Sequence, residues 1–168
     1  MILETADLLD CLLHDAEATE ALARRLAPLF RAGDTLLLTG DLGSGKTSFA
    51  RAVIRALPGP LGEDLSHEEV PSPTFTLVQI YERAVAPVWH FDLYRLSAAE
   101  EIYELGWEEA DGEALVLVEW PERLGALAPP DALTLTFAYE GAGRRVTLAG
   151  NSAWRQRLSA RQGSLNSS

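Results

Sequence analysis

The sequence predicts an α/β domain: a mainly parallel central sheet, flanked by helices, with a β-hairpin near its C-terminal end. Three observations carry that prediction. Short apolar runs at residues 35–39 and 115–119 are bounded by turn-forming or charged residues, the pattern of strands buried on both faces. A glycine-rich loop follows the first run and opens a helical pattern at 46–57. Leu133, Leu135 and Phe137, then Val146 and Leu148, alternate with polar residues around Gly141 and Gly143, a hairpin signature. The 168 residues suit one domain, since domains run to about 100–200 residues; it is assigned to 1–162, with 163–168 expected as a disordered polar tail.

Taken in order, 8–13 is expected as a short strand. Leu22, Leu26 and Leu29 follow Asp15 at helical spacing, so 16–31 is expected as a helix capped by Asp15 and ended near Gly33. In the helix at 46–57, Phe49, Val53 and Leu57 form the inner face, Arg51 and Arg55 point outward, and Pro58-Gly59-Pro60 stops it. The acidic stretch 61–73 is expected as a mobile surface loop. Pro71 and Pro73 hold Val70 and Ser72 extended before strands at 76–81 and 88–93. Ser97-Ala98-Ala99-Glu100 has the form of a capping box, opening a helix that Gly106 closes. Ser152 is expected to cap a last helix carrying Trp154 and Leu158.

Gly40-Asp41-Leu42-Gly43-Ser44-Gly45-Lys46-Thr47 fits G-x-x-x-x-G-K-[ST] between a buried strand and a helix N-terminus, as in P-loop nucleotide-binding domains. Its glycines let successive N–H groups turn inward around a phosphate chain; Lys46 supplies a mobile cation and the Thr47 hydroxyl an oxygen for Mg²⁺. Such a loop needs an acid at the carboxyl end of a neighbouring strand. Asp92 closes Val88-Trp89-His90-Phe91 and Glu119 closes Leu115-Val116-Leu117-Val118. Glu119, after the more apolar strand, is assigned to the metal and Asp92 to water positioning or switching, with the reverse left open. Thr74, in Ser72-Pro73-Thr74-Phe75, is the candidate switch hydroxyl, with an ordinary turn as the alternative. His90 is expected to be structural, His14 and His67 have no metal partners in sequence, and Trp120, facing away from Glu119 on a pleat, either stacks on a base or fills core. Arg95 senses phosphate or pairs with the acidic residues after it.

A formal charge of −11 repels phosphate backbones, so direct sequence-specific nucleic-acid binding is not expected. The charge is uneven: from 141 onward there are five arginines (144, 145, 155, 157, 161) and no acid, either a solvated surface or a docking patch for an acidic partner. The single Cys11 excludes an intrachain disulfide framework, and no apolar run approaches the ~18 residues of a membrane span; a reduced cytoplasm is the expected location. No guanine-reading Asn/Thr-Lys-x-Asp run is present, which makes adenine the default.

Four motifs therefore stand in one order: the loop at 40–47, then Ser72-Pro73-Thr74-Phe75-Thr76-Leu77-Val78, then His90-Phe91-Asp92-Leu93-Tyr94-Arg95-Leu96, then Val118-Glu119-Trp120-Pro121. In that order they resemble the TsaE (YjeE) family, small bacterial P-loop ATPases of tRNA threonylcarbamoyladenosine synthesis, over about residues 15–145. Ser44 stands where alanine is commonest in that family; the acidic loop and the arginine-bearing end depart from it. The resemblance implies a chain that binds ATP and Mg²⁺, hydrolyses slowly alone and works with the TsaB and TsaD proteins. There TsaD transfers threonylcarbamoyl to the adenosine beside the anticodon, and the ATP cycle resets the complex. Carried over, Asp41, Leu42, Gly43, Ser44, Gly45, Lys46, Thr47 and Ser48 would surround the phosphates, Thr47 and Glu119 hold Mg²⁺, Thr74 switch and Asp92 serve hydrolysis, with Gly143 close to the adenine. Two other readings share the motifs: a small-molecule kinase with Asp92 as base, and a nucleotide switch without turnover.

Overall fold

Leu36, Leu37 and Leu38 are consecutive and all buried, which requires a strand covered on both faces. The computed structural model describes residues 6–165. Its strands are β1 (Ala6–Leu13), β2 (Thr35–Gly40), β3 (Val78–Tyr81), β4 (Val88–Asp92), β5 (Leu115–Glu119), β6 (Leu133–Glu140) and β7 (Gly143–Gly150). Its α-helices are α1 (Ala16–Leu26), α2 (Lys46–Ala56), α3 (Trp107–Ala110) and α4 (Ser152–Leu165). The strands form one sheet in the order β1-β7-β6-β2-β5-β4-β3.

The sheet is mixed, not mainly parallel. β6, β2, β5 and β4 are parallel at its centre, while β3, β7 and β1 add antiparallel edges. Chain length explains the β3 and β7 edges, because the connections 82–87 and 141–142 are too short for a parallel crossover. Period-two alternation divides the core. Leu36, Leu38, Leu115, Leu117, Leu133 and Leu135 face α1, α2 and α4, whereas Leu37, Phe91, Val116 and Val118 face Ile102, Trp107 and Leu124 from 99–127.

Helix α1 is capped by Asp15, whose Oδ1 accepts from Ala18 N at 2.8 Å. It ends at Leu26, earlier than the expected 31, because Pro28 lacks an N–H and tightens 27–29 into a 3₁₀ turn. Helix α2 has no side-chain cap at Gly45, leaving its first-turn amides free for other acceptors. Burial of Phe49, Val53, Ile54 and Leu57, about 1.5–3 kcal/mol each, outweighs a missing cap of about 1 kcal/mol. Arg51 and Arg55 do not point freely outward; both are half-buried, and Arg55 reaches the loop that follows α2 at Glu68 O.

Several local expectations yield to longer-range geometry. The strand expected from Thr76 starts at Val78, because Leu77 is left-handed (φ 68°) and donates its N–H to Pro73 O at 2.6 Å. The Ser97 capping box does not form. A 3₁₀ segment, Ala99–Leu105, begins after Ala98 without a side-chain cap, and Ser97 N instead donates to Glu101 Oε2 at 3.4 Å. Gly106 closes this segment in the left-handed conformation (φ 92°). The acidic loop is fastened: Arg83 reaches Glu68 at 2.9 Å, Arg55 Nε donates to Glu68 O at 3.0 Å, and Val70 is buried. Asn151, not Ser152, caps α4, accepting from Trp154 N at 3.1 Å. That helix continues through 163–165, where a single glycine costs only ~1 kcal/mol; 166–168 of the expected tail lie outside the described residues. Among the described residues no helix is long and apolar enough to cross a membrane.

Candidate functional site

The carboxyl ends of β2, β5 and β4 lie in register, Leu38 beside Glu119 and Glu119 beside Asp92. That end of the parallel strands is where α/β sheets open a crevice. A cavity of about 450 Å³ lies there, lined by the 42–48 loop, by Thr74, Asp92, Tyr94, Glu119 and Trp120, and by the corner Leu13-His14-Asp15 facing Ala142-Gly143-Arg144.

Gly40, Gly43 and Gly45 all have positive φ, so the loop after β2 turns tightly into α2. Close packing adds a second constraint at Gly40, where a Cβ would sit 2.4 Å from Phe137 O. The buried Ser44 Oγ beneath the loop has no hydrogen-bond partner. Asp41 contributes through its backbone, its O accepting from Ser44 N at 3.1 Å and from Lys46 Nζ at 3.4 Å. Lys46 Nζ also donates to Gly40 O and lies 3.5 Å from the centroid of the Trp120 ring. Burial lowers the Lys46 pKa, and the charges of Glu119, Glu122, Asp92 and Asp41 oppose that shift.

Lys46, Asp92, Glu119 and His90 are only 4%, 4%, 1% and 0% exposed, so each polar group needs a partner. Thr47 Oγ1 donates to Glu119 Oε1 at 2.5 Å, and His90 Nε2 lies 2.7 Å from Glu119 Oε2. Asp92 accepts from Tyr94 N on Oδ1 and from Thr74 Oγ1 on Oδ2, both at 3.1 Å; Ser72 Oγ is 2.7 Å from the Thr74 hydroxyl. The two acids are thus held differently, Glu119 by α2 and β4 and Asp92 by its own turn and the 72–77 loop. Among the described residues no three His, Cys, Asp or Glu side chains converge as a cage. The Thr47 and Glu119 oxygens are instead the hard donors that suit Mg²⁺ with ligands supplied from elsewhere.

The family model described as "Threonylcarbamoyl adenosine biosynthesis protein TsaE" matches residues 13–146. This chain belongs to the TsaE family. The "tRNA threonylcarbamoyladenosine biosynthesis protein TsaE" of Rickettsia conorii is 45% identical over 125 residues, covering 74% of this chain and 68% of that one. The protein of the same name from Bacillus subtilis is 34% identical over 139 residues, covering 80% and 82%. The crystal structure of Bacillus subtilis YdiB shares the fold, with TM-score 0.69, 23% identity and 99% of both chains covered. Every residue lining the cavity falls inside the TsaE match.

Within this TsaE chain, Leu42, Gly43, Gly45, Lys46, Thr47, Ser48, Thr74, Asp92, Glu119 and Gly143 all line the one cavity. Ser44 lies beneath it. His90, expected to be structural, belongs to the buried polar cluster, and its signal was its spacing: two residues before Asp92 on a strand puts both on one face. Trp120 does not face away from Glu119 on a pleat. Its backbone is left-handed (φ 60°, ψ 52°), which ends the strand and brings the ring over Lys46 and to 4.9 Å from Tyr94. His14 also lines the cavity, and Arg95 lies over the Phe75 ring at 4.5 Å, without an acid partner among the described residues. Three of the arginines after 141 have partners within the chain: Arg144 stacks on Tyr139, Arg145 pairs with Asp10 and Glu140, and Arg157 binds Asp34.

Proposed function

We propose that this chain is a Mg²⁺-dependent ATPase that works with the TsaB and TsaD proteins in forming threonylcarbamoyladenosine on tRNA. The observation that carries this reading is the buried trio Lys46, Asp92 and Glu119, with the half-buried hydroxyls of Thr47 and Thr74 bonded to the two acids, gathered around one glycine-turned loop. Pathway membership rests on the family and on the names its relatives bear.

The 41–48 loop and the first-turn amides of α2 would bind the phosphates, with Lys46 moving from Gly40 O and the Trp120 ring onto them. Thr47 and Glu119 would hold Mg²⁺, whose chemistry is to neutralise charge on the phosphate oxygens. Asp92, each oxygen accepting one hydrogen bond from protein, keeps lone pairs to orient a water, and Thr74 ties that carboxylate to the loop. The corner Leu13-His14-Asp15 and the Ala142-Gly143-Arg144 turn would receive the adenine end. With the tRNA-binding work left to its partners, an acidic chain suits this role and a cytoplasmic setting.

Phosphate release from ATP and Mg²⁺ by the purified chain tests this, alone and with TsaB and TsaD of the same organism, using Lys46→Ala as control. Partner-stimulated release that vanishes in Lys46→Ala supports the reading. Tight binding without release under either condition favours a switch without turnover, and release only with a hydroxylated metabolite favours a kinase.

A further inference from the structure

His90 is the one member of the buried polar cluster without a role so far. Its ring is fully buried, with Nε2 2.7 Å from Glu119 Oε2, and its Nδ1 is buried with no hydrogen-bond partner. A proton on Nδ1 would bury a donor with nothing to accept it, whereas an unpaired acceptor is better tolerated. The hydrogen-bond network therefore assigns the proton to Nε2, directed at Glu119.

The other carboxylate oxygen, Oε1, accepts from Thr47 at 2.5 Å. The terminal torsion of a glutamate is broad, so a carboxylate held at one oxygen still turns. Held at both, by α2 through Thr47 and by β4 through His90, it does not. Register makes this arrangement rigid: Leu117 is the β5 partner of His90 and Glu119 that of Asp92, so the imidazole sits one step back along the same face of the sheet. Resting on the reading that Glu119 serves Mg²⁺, we propose that His90 is the positioning residue of that carboxylate, its Nε2–H fixing Oε2 so that Oε1 is presented to Thr47 and the metal. Partners that orient a metal-binding carboxylate are commonly worth about 10- to 100-fold in metal affinity.

The test is calorimetric titration of the full chain with ATP, in EDTA and in Mg²⁺, for wild type, His90→Leu, His90→Gln and His90→Asn. Glutamine places an amide where Nε2 stands; asparagine places one nearer Nδ1 and cannot reach Oε2. The expected result is equal affinity for ATP in EDTA across the set, with the gain on adding Mg²⁺ lost about 10- to 100-fold in His90→Leu and His90→Asn and retained in His90→Gln. An equal Mg²⁺ gain in all four, or a parallel loss in EDTA and Mg²⁺, overturns the proposal. If His90→Leu does not fold, the contrast between His90→Gln and His90→Asn decides alone. Absence of any Mg²⁺ gain in wild type overturns the underlying reading of Glu119, and that failure is visible without a variant.

Discussion

Thr74 Oγ1 donates to Asp92 Oδ2 at 3.1 Å, fastening the 72–77 loop to the end of β4 by a side chain. Backbone supports it, since Asp92 N donates to Leu77 O at 2.9 Å and Leu77 N to Pro73 O at 2.6 Å. Thr74→Val keeps the shape and removes the hydroxyl. ATP affinity should stay close to wild type while single-turnover phosphate release falls by about tenfold, the kinetic equivalent of one hydrogen bond of about 1–1.5 kcal/mol. Unchanged release would remove Thr74 from the machinery.

Lys46 gives a pH dependence of definite sign. Burial depresses its pKa below the ordinary 10.5, so between the folded value and 10.5 the unfolded chain binds more protons, and stability contributed by this group rises with pH. The stability difference between wild type and Lys46→Met, read from urea midpoints, should therefore grow in favour of wild type as pH climbs toward 10.5. A flat difference refutes the desolvated lysine, and Lys46→Met should also lose ATP binding.

Gly143 lies where two backbones nearly touch, and a Cβ there would sit 2.5 Å from Leu13 O and 3.2 Å from His14 Cα. Neither neighbour is a flexible side-chain tip. Gly143→Ala should cost about 1–3 kcal/mol in denaturant unfolding and weaken ATP binding, because all three residues wall the cavity. An unchanged midpoint would show that the β1 end moves aside freely.

Arg83 joins α2 to the acidic loop, its Nε donating to Ile54 O at 3.1 Å and its Nη2 to Glu68 at 2.9 Å. Its side chain is buried while Glu68 is about one-third exposed, so solvent screens part of the pairing. Arg83→Met should cost about 1–3 kcal/mol, chiefly from the orphaned Ile54 carbonyl, and Glu68→Gln under ~1 kcal/mol. Hydrogen exchange over 61–75 should quicken in Arg83→Met; an unaltered rate would show that Arg55 and Val70 suffice to anchor the loop.

Much of the fold could be read from neighbours in sequence. The apolar run 115–119, the alternation about Gly141 and Gly143, and the loop at 40–47 each bring the cause of their conformation within a few residues. The failures share a feature. Ser97 had the spacing of a cap, but its segment follows a 3₁₀ path set by packing of Ile102 and Trp107 on Phe91, and Trp120 left its strand because its backbone turns left-handed after Glu119.

The sequence by itself determined which chemistry was present: a phosphate-type loop, a hydroxyl beside its lysine, two strand-end acids and a Thr-bearing loop. Tertiary structure decided who holds whom. Thr47 and Glu119 are 72 positions apart, His90 and Glu119 are 29, and Tyr139 and Leu42 are 97; each pair meets only because the sheet adopts one order and one register. Local periodicity specifies the face a side chain takes, while the partner across that face depends on strand pairing, which is settled by burial of the whole core.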